Sequence, residues 1–330
     1  MANRTILGID IGHTSLKLSL INNGVVVKCA FSEVPTGLIK EGKIVSIDAM
    51  SEIIKATIKN NGIKCSQAAL ILSEDVSFVR NLNMPVMTKD QLMYNIPYEF
   101  DDYITEEAKN YIFDYAMISD VQPGDESMDL TAVATKNDYV DELRLMCRKA
   151  GLKLVSLSPA FGAYSGLIRH CSDKLNVPSN EYCFVDLGYD KIRMYMFKGD
   201  SFVASREIDT GLATVENIVA NNMNVDVHIA HTYLTSNHGN CQSSDFCKNA
   251  FASIAVELKR AMNFYNFSNP DSHLEDVWLC GGGALIAPLF DEISENLDMM
   301  IHQTSDFIPG VDDSEIAALV FTASGIAMNY

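Results

Sequence analysis

One pattern occurs twice in this chain, and it constrains the fold more than any other feature. Residues 6–24 read ILGIDIGHTSLKLSLINNG, and residues 182–200 read YCFVDLGYDKIRMYMFKGD. Each begins as an apolar run, breaks at Asp-x-Gly, and resumes with period-2 alternation. Leu16, Leu18 and Leu20 share one face in the first copy, as do Ile192, Met194 and Met196 in the second. Each copy then reaches a tight-turn signal, Asn22-Asn23-Gly24 or Lys198-Gly199-Asp200, and a further strand follows, Val25–Ala30 or Phe202–Ile208. Both halves therefore open with hairpins whose first turn carries an aspartate and a glycine. Two related α/β lobes are the fold class this predicts.

Helical periods alternate with the strands. Helices are expected at Asp48–Asn60 with Ser46 or Asp48 as N-cap, at Asn137–Lys149 ending on Gly151, at Asp245–Phe267 capped by Ser243 or Ser244, and at Pro288–Asp298. Further strands fit Ala68–Leu72, Ser77–Leu82, Leu154–Leu157 and Val277–Cys280. From Asn83 to Thr131 the composition shifts toward acidic residues, prolines and tyrosines. This predicts a small inserted subdomain with a helix near Lys89–Tyr103, strands around Asp114–Ser119 and Leu130–Ala134, and an acidic loop at Val121–Asp129. The lobes are placed at 1–160, with the insertion at about 83–152, and at 161–330, with a small helical subdomain at about 212–259.

Charge and length narrow the function. The 330 residues carry 43 Asp plus Glu against 25 Lys plus Arg, a net charge of −18. That field disfavours broad binding to nucleic acid or to an anionic membrane surface. No run approaches the roughly 18 apolar residues of a membrane span, and Asp10 and His13 interrupt any signal-peptide core. The eight cysteines form no Cys-x-x-Cys pair and read as reduced thiols of a cytoplasmic protein.

Asp10 and Asp186 each sit at a strand end, two residues before Gly12 and Gly188. Magnesium takes one or two carboxylates and fills its other positions with water and phosphate oxygens, so two such turns face to face suit a Mg·phosphate site. Thr14 and Ser15 add hydroxyls, and Lys17 points away from the apolar face of its strand. Asp-x-Gly alone is a common turn. A third element adds weight: Val277–Cys280 runs straight into Gly281-Gly282-Gly283, and a helix follows. Strand, glycine run and helix start make a phosphate or nucleoside cradle, although a plain strand–helix turn also uses glycine. There is no P-loop and no G-x-G-x-x-G. His228, His231, His238, Cys241 and Cys247 crowd one stretch, but their spacing fits no structural zinc pattern and reads as a polar surface loop.

The three elements, in this order, resemble the nucleotide signature of the actin-like ATPase superfamily. The resemblance implies two lobes around an ATP cleft with an FtsA-type insertion in the first. It implies Mg·ATP held by Asp10, Gly12, His13, Thr14, Ser15, Lys17, Asp186, Gly188, Tyr189, Gly211, Gly281, Gly282, Gly283 and Ala284, with Asp10 and Asp186 on the metal. Glu257 and Arg260, three apart on one helix, resemble the pair that contacts ribose and adenine; a surface ion pair has the same spacing. More narrowly, ELKRAMNFYNF (257–267), NMPVMTKDQLMYNIPYEFDDYI (83–104), LTAVATKNDYVDELRLMCRKAGLKLVSLSP (130–159) and SREIDTGLATVENIVA (205–220) resemble the PilM family of type IV pilus assembly proteins.

That likeness implies a cytoplasmic ATP-binding adaptor. It would hold the cytoplasmic N-terminal tail of a bitopic, PilN-like membrane protein in a groove formed by Phe78, Arg80, Leu82, Met84, Tyr94, Tyr98 and Phe100. Attachment to the inner face of the membrane would run through that partner, because the chain ends at Tyr330 after its last core helix without a membrane helix of its own. Self-association is a further expectation. An FtsA-like filament former and an actin-fold small-molecule kinase are the alternatives; the kinase lacks a marked catalytic base, and FtsA normally ends in a membrane helix. His13, Ile192, Ser158 and Thr210 depart from the superfamily pattern. Ser158 stands where related ATPases carry an acidic residue that orients the attacking water, so weak or absent hydrolysis is expected.

Overall fold

The computed structural model describes residues 5–118, 121–175 and 177–330. The first lobe opens with β1 (Thr5–Ile11), β2 (Ser15–Asn22) and β3 (Val25–Glu33), a meander followed by the short hairpin β4 (Ile39–Lys40) and β5 (Lys43–Ile44). Helix α1 (Ile47–Asn60) is capped by Ser46, whose hydroxyl accepts from the Ala49 amide, and β6 (Gln67–Ile71) returns parallel to β1.

The insertion follows as β7 (Ser77–Pro85), α2 (Lys89–Asn95), β8 (Tyr111–Met117) and β9 (Ser127–Lys136). Then α3 (Asn137–Lys149), β10 (Lys153–Ser158) and α4 (Ala160–Cys171) complete this half. The main sheet has the order β10-β6-β1-β2-β3 and the inserted one the order β7-β9-β8.

The second lobe repeats the plan with β11 (Glu181–Leu187), β12 (Ile192–Lys198) and β13 (Ser201–Ile208), then α5 (Leu212–Met223), α6 (Val227–Thr235), α7 (Asp245–Ser268), β14 (Asp276–Cys280), α8 (Ala287–Asn296), β15 (Met300–Gln303) and α9 (Ser314–Met328). Its sheet order is β13-β12-β11-β14-β15. In both sheets the strand bearing the Asp-x-Gly turn pairs antiparallel with the next strand and parallel with a later one. The repeat seen in the sequence is thus a repeat of topology.

Several boundaries differ from the sequence reading. The insertion's sheet starts at Ser77 and ends at Lys136, because α3 buries Tyr139, Leu143, Met146 and Cys147 in the first-lobe core with Leu7, Ile9 and Ile54. The expected helix over Lys89–Tyr103 stops at Asn95 and continues as a 3-10 turn, Ile96–Phe100. Pro97 has no amide hydrogen to extend an α-helix. The strand expected to end at Ser119 ends at Met117, and Ser119 lies outside the described residues.

The lobes also exchange helices. The C-terminal α9, late in the second half of the sequence, lies on the first-lobe sheet: a Cβ on Gly8 would sit 1.7 Å from the Ala323 carbonyl oxygen, and the buried Ser19 and Ser324 hydroxyls are 2.8 Å apart. Helix α4 lies against the second sheet, with Tyr164 stacked on Phe184 at 4.9 Å. The two helices cross where a Cβ on Gly325 would meet the Ala163 carbonyl oxygen at 2.3 Å. Only glycine permits that approach of backbones. One aromatic core around this crossing joins both lobes.

Candidate functional site

A cleft of about 740 Å³ separates the lobes, a size typical of small-molecule sites. The two Asp-x-Gly turns face each other across it. Pairing of β1 with β2 sets Asp10 opposite Lys17, and Lys17 Nζ donates to Asp10 Oδ2 at 3.0 Å. Burial works against the Lys17 charge, but Asp10 and Asp186 outweigh it and hold the ammonium above its ordinary range. Asp186 itself is pushed up by burial and by Asp10, against the opposing pull of Lys17. Two carboxylates and one lysine therefore share a low-dielectric floor, where adding a cation relieves repulsion.

The turns are built for close approach. The Gly12 amide donates to the Ser15 carbonyl at 2.9 Å. Leu212 and Ala213, at the start of α5, donate to the Gly188 and Tyr189 carbonyls, and a Cβ on Gly211 would strike the Tyr189 oxygen at 2.2 Å. Gly281 has φ +82°, and a Cβ there would meet Asp186 Oδ1 at 2.3 Å, so the glycine run rests directly on the second aspartate. Asp10, Gly12, His13, Thr14, Ser15, Lys17, Asp186, Gly188, Tyr189, Gly281 and Gly282 all line the cleft. Gly211, Gly283 and Ala284 shape the turns from behind.

The Glu257–Arg260 pair is placed differently from the sequence reading. Arg260 Nη1 and Glu257 Oε1 pair at 2.5 Å on an exposed face of α7, and neither residue lines the cleft. The surface ion pair is what the structure contains.

The cleft also holds groups that the sequence reading passed over. Glu74 and Asp75 follow β6 and reach across to Lys191, just before β12, and to Arg193 on it. Arg193 Nη2 lies 3.0 Å from Asp75 Oδ1 and 2.9 Å from Glu207 Oε2, and Lys191 Nζ lies 3.2 Å from Asp75 Oδ1. The signal was present: Lys191 and Arg193 alternate with Ile192 and Met194, so period 2 sends both charges to the cleft face. Seven carboxylates and three permanent cations line this space, so a polyphosphate entering it needs a cation of its own. Asp10 and Asp186 are the residues that would hold Mg²⁺, an ion that needs few protein oxygens. No cluster of three or more metal-binding side chains occurs among the described residues. His231 bonds to Glu216, His238 stacks on Tyr233, and Cys241 and Cys247 are buried.

On the insertion, Leu82, Met84 and Phe100 are buried in its own core with Leu92 and Ile96. The groove suggested by the sequence loses those three residues. Phe78 is half-buried; Arg80 lies 3.6 Å from Glu99 and 4.7 Å above the Tyr103 ring; Tyr94 and Tyr98 stand exposed in edge-to-face contact at 5.8 Å. A second cavity, of about 510 Å³, opens between β8 and α4, lined by Met117, Ile118, Phe161, Arg169 and Phe202 among others.

The family model for the type IV pilus assembly protein PilM matches residues 8–328. The chain belongs to the PilM family. Among solved structures, the PilM family fold seen here is similar to the PilM-PilN type IV pilus biogenesis complex, at 20% identity and a TM-score of 0.83 over 98% of each chain. It is similar to the ethanolamine utilization protein EutJ of Carboxydothermus hydrogenoformans, at 17% identity and TM-score 0.62, over 99% of this chain and 90% of that one. It also resembles MreB5 of Spiroplasma citri bound to ADP, at 11% identity and TM-score 0.52, over 98% and 94%. These likenesses show the actin-like ATPase fold. No curated protein matches the chain by sequence. No helix among the described residues of this PilM family member is long and apolar enough to cross a membrane.

Proposed function

We propose that this PilM family member is an Mg·ATP-binding adaptor of type IV pilus assembly, working at the cytoplasmic face of the membrane through the tail of a PilN-like protein. The observation that carries the reading is the near-complete correspondence, over 98% of both chains, with a PilM solved together with PilN. The facing Asp10 and Asp186 turns supply its nucleotide half. Lys17 neutralises phosphate charge, Asp10 and Asp186 hold the metal-bound assembly, and the glycine run leaves room for the rest of the nucleotide. When bound, magnesium offsets phosphate charge that the acidic walls would otherwise repel.

The tail docks on the inserted subdomain, whose β7 and β8 are both edge strands able to accept an extended segment. Beside β7 stand Arg80 and the exposed Tyr94–Tyr98 pair. A second reading places the tail on the β8 side, because the 510 Å³ cavity opens there. The chain's net charge of −18 suits a neutral or basic tail.

The test is co-purification with the bitopic partner, intact and without its cytoplasmic tail, using Tyr94→Asp/Tyr98→Asp and Met117→Asp variants. Loss of binding in the first variant selects the β7 side, and loss in the second selects β8. Binding that survives removal of the tail overturns the adaptor reading. For the nucleotide half, calorimetric titration of Mg·ATP into wild type and Asp10→Ala is expected to show at least about a tenfold loss, the effect of one charge-assisted contact. Equal affinities would sink it.

A further inference from the structure

The cleft has a second polar end, away from Asp10 and Lys17. Its floor is Leu212, whose side chain covers the glycine run: a Cβ on Gly283 would lie 3.5 Å from Leu212 Cδ2, and one on Gly282 would lie 3.7 Å from Cδ1. One helical turn further along α5 is Glu216. This carboxylate is only 1% exposed, and its Oε2 is buried without a hydrogen-bond partner. Its Oε1 lies 2.6 Å from His231 Nδ1 on α6. His231 and Thr235, four residues apart on one face of α6, both line the cleft, together with Leu285.

A buried carboxylate is costly unless it is partnered, and His231 and the Tyr189 hydroxyl are the groups set against this one. Here it fixes a histidine ring that is itself half-exposed to the cleft. We infer that His231, held by Glu216, is the group that reads the sugar hydroxyls of the bound nucleotide. The inference rests on the nucleotide half of the proposed function.

Three observations support it. First, Nδ1 is committed to Glu216, which leaves Nε2 as the ring atom available to a ligand. Second, the hydrogen bond that His231 donates to Glu216 raises the His231 pKa, burial opposes it, and the charges of Glu216 and of Glu33 across the cleft add to the rise. The bond to Glu216 therefore favours the protonated ring. A hydroxyl can donate to neutral Nε2 and can accept from Nε2–H, so it is a partner in either state. An exocyclic amine serves only the neutral form. Third, the apolar Leu212 and Leu285 offer surface for a base but no polar atom, and the Glu257–Arg260 pair, the other candidate for this role, lies outside the cleft.

The experiment is a chemical double-mutant cycle on the full chain. Mg·ATP and Mg·2′,3′-dideoxy-ATP are titrated into wild type and His231→Ala, with Glu216→Gln as a second variant that keeps a side chain able to bond His231. Wild type is expected to prefer ATP by about three- to tenfold, the worth of one or two hydrogen bonds. His231→Ala is expected to bind both nucleotides equally, at the wild-type affinity for the dideoxy compound. Glu216→Gln is expected to fall between. Equal binding of both nucleotides by wild type, or full discrimination retained by His231→Ala, overturns this inference alone. Failure of wild type to bind either nucleotide overturns the nucleotide reading with it.

Discussion

His13 Nε2 lies 2.7 Å from Asp190 Oδ2, so the tips of the two Asp-x-Gly turns touch across the cleft. The His13 ring also runs nearly parallel to Tyr189, with centroids 6.4 Å apart. A polyphosphate seated between the turns has to part this contact or lie behind it. Both partners are partly exposed, and such pairs are worth about 0.2–1 kcal/mol. Asp190→Asn removes the pair's charge and one source of repulsion. Its Mg·ATP association rate, read by stopped flow, is expected to rise about two- to fivefold, with a smaller gain for His13→Ala. A slower rate in His13→Ala would mean that the imidazole touches the nucleotide directly, the role the sequence resemblance gave it.

A second cross-cleft relationship predicts an unusual pH dependence. Burial raises the Glu74 carboxyl to about 7, although Arg193 and the Tyr195 hydroxyl oppose the shift; its Oε1 has no partner. The folded protein thus holds a proton that the unfolded chain releases near pH 4.5. Between those values the native state binds more protons, so this group's contribution to stability is full below about pH 4.5 and declines as pH rises through 7. Glu74→Gln mimics the protonated form. In urea denaturation the variant is expected to match wild type near pH 5 and to exceed it by on the order of 1–3 kcal/mol at pH 8. A variant equally destabilised at both pH values would assign Glu74 to its ion pair with Arg193 instead.

The hairpins, the Asp-x-Gly turns and the glycine run were legible because each is local: period, break and turn residue lie within about twenty positions. That the Asp10 and Asp186 turns face each other followed from them. What escaped was set by packing. Glu257 and Arg260 have the spacing of a ligand pair, but the rotation of α7 about its axis, which decides whether that face meets the cleft, depends on how Phe251, Leu258 and Met262 seat in the second-lobe core. Leu82, Met84 and Phe100 read as groove residues, with core packing as the plainer alternative, and the core of the insertion takes all three. The Glu216–His231 pair joins residues fifteen apart on two helices, a contact no short-range pattern contains.

Helix exchange between the lobes makes one glycine critical. Gly8 lies in the middle of β1, and a methyl group there would meet the Ala323 carbonyl oxygen at 1.7 Å, backbone against backbone. The neighbouring Ser19–Ser324 hydrogen bond fixes α9 on the sheet at the same level. Neither element can withdraw without opening the joint core. Gly8→Ala is expected to cost about 2–4 kcal/mol, at or above the usual range for overpacking. The measure is the midpoint of chemical denaturation. A loss below about 1 kcal/mol would show that α9 can lift from β1 independently.

Turnover is the last point at which sequence and geometry meet. The superfamily resemblance expects a water-orienting acid at the position of Ser158, and a serine cannot accept a proton from water at neutral pH. The structure adds that Ser158 lines the cavity beside β8 rather than the cleft, and that a Cβ on Gly162 would lie only 2.2 Å from its Oγ. A longer acidic side chain there has no open path to the phosphate end. The cleft does hold carboxylates, but Asp10 is engaged with Lys17, Asp75 with Lys191 and Arg193, and Asp190 with His13. Positioning a nucleophile is worth orders of magnitude in phosphoryl transfer. Purified wild type is therefore expected to release phosphate from Mg·ATP at well under about 1 s⁻¹, the low end of ordinary enzyme turnover. Ser158→Glu is expected not to raise that rate. Release above 1 s⁻¹ in wild type, or a tenfold gain in Ser158→Glu, would show that a water-orienting carboxylate reaches the nucleotide after all.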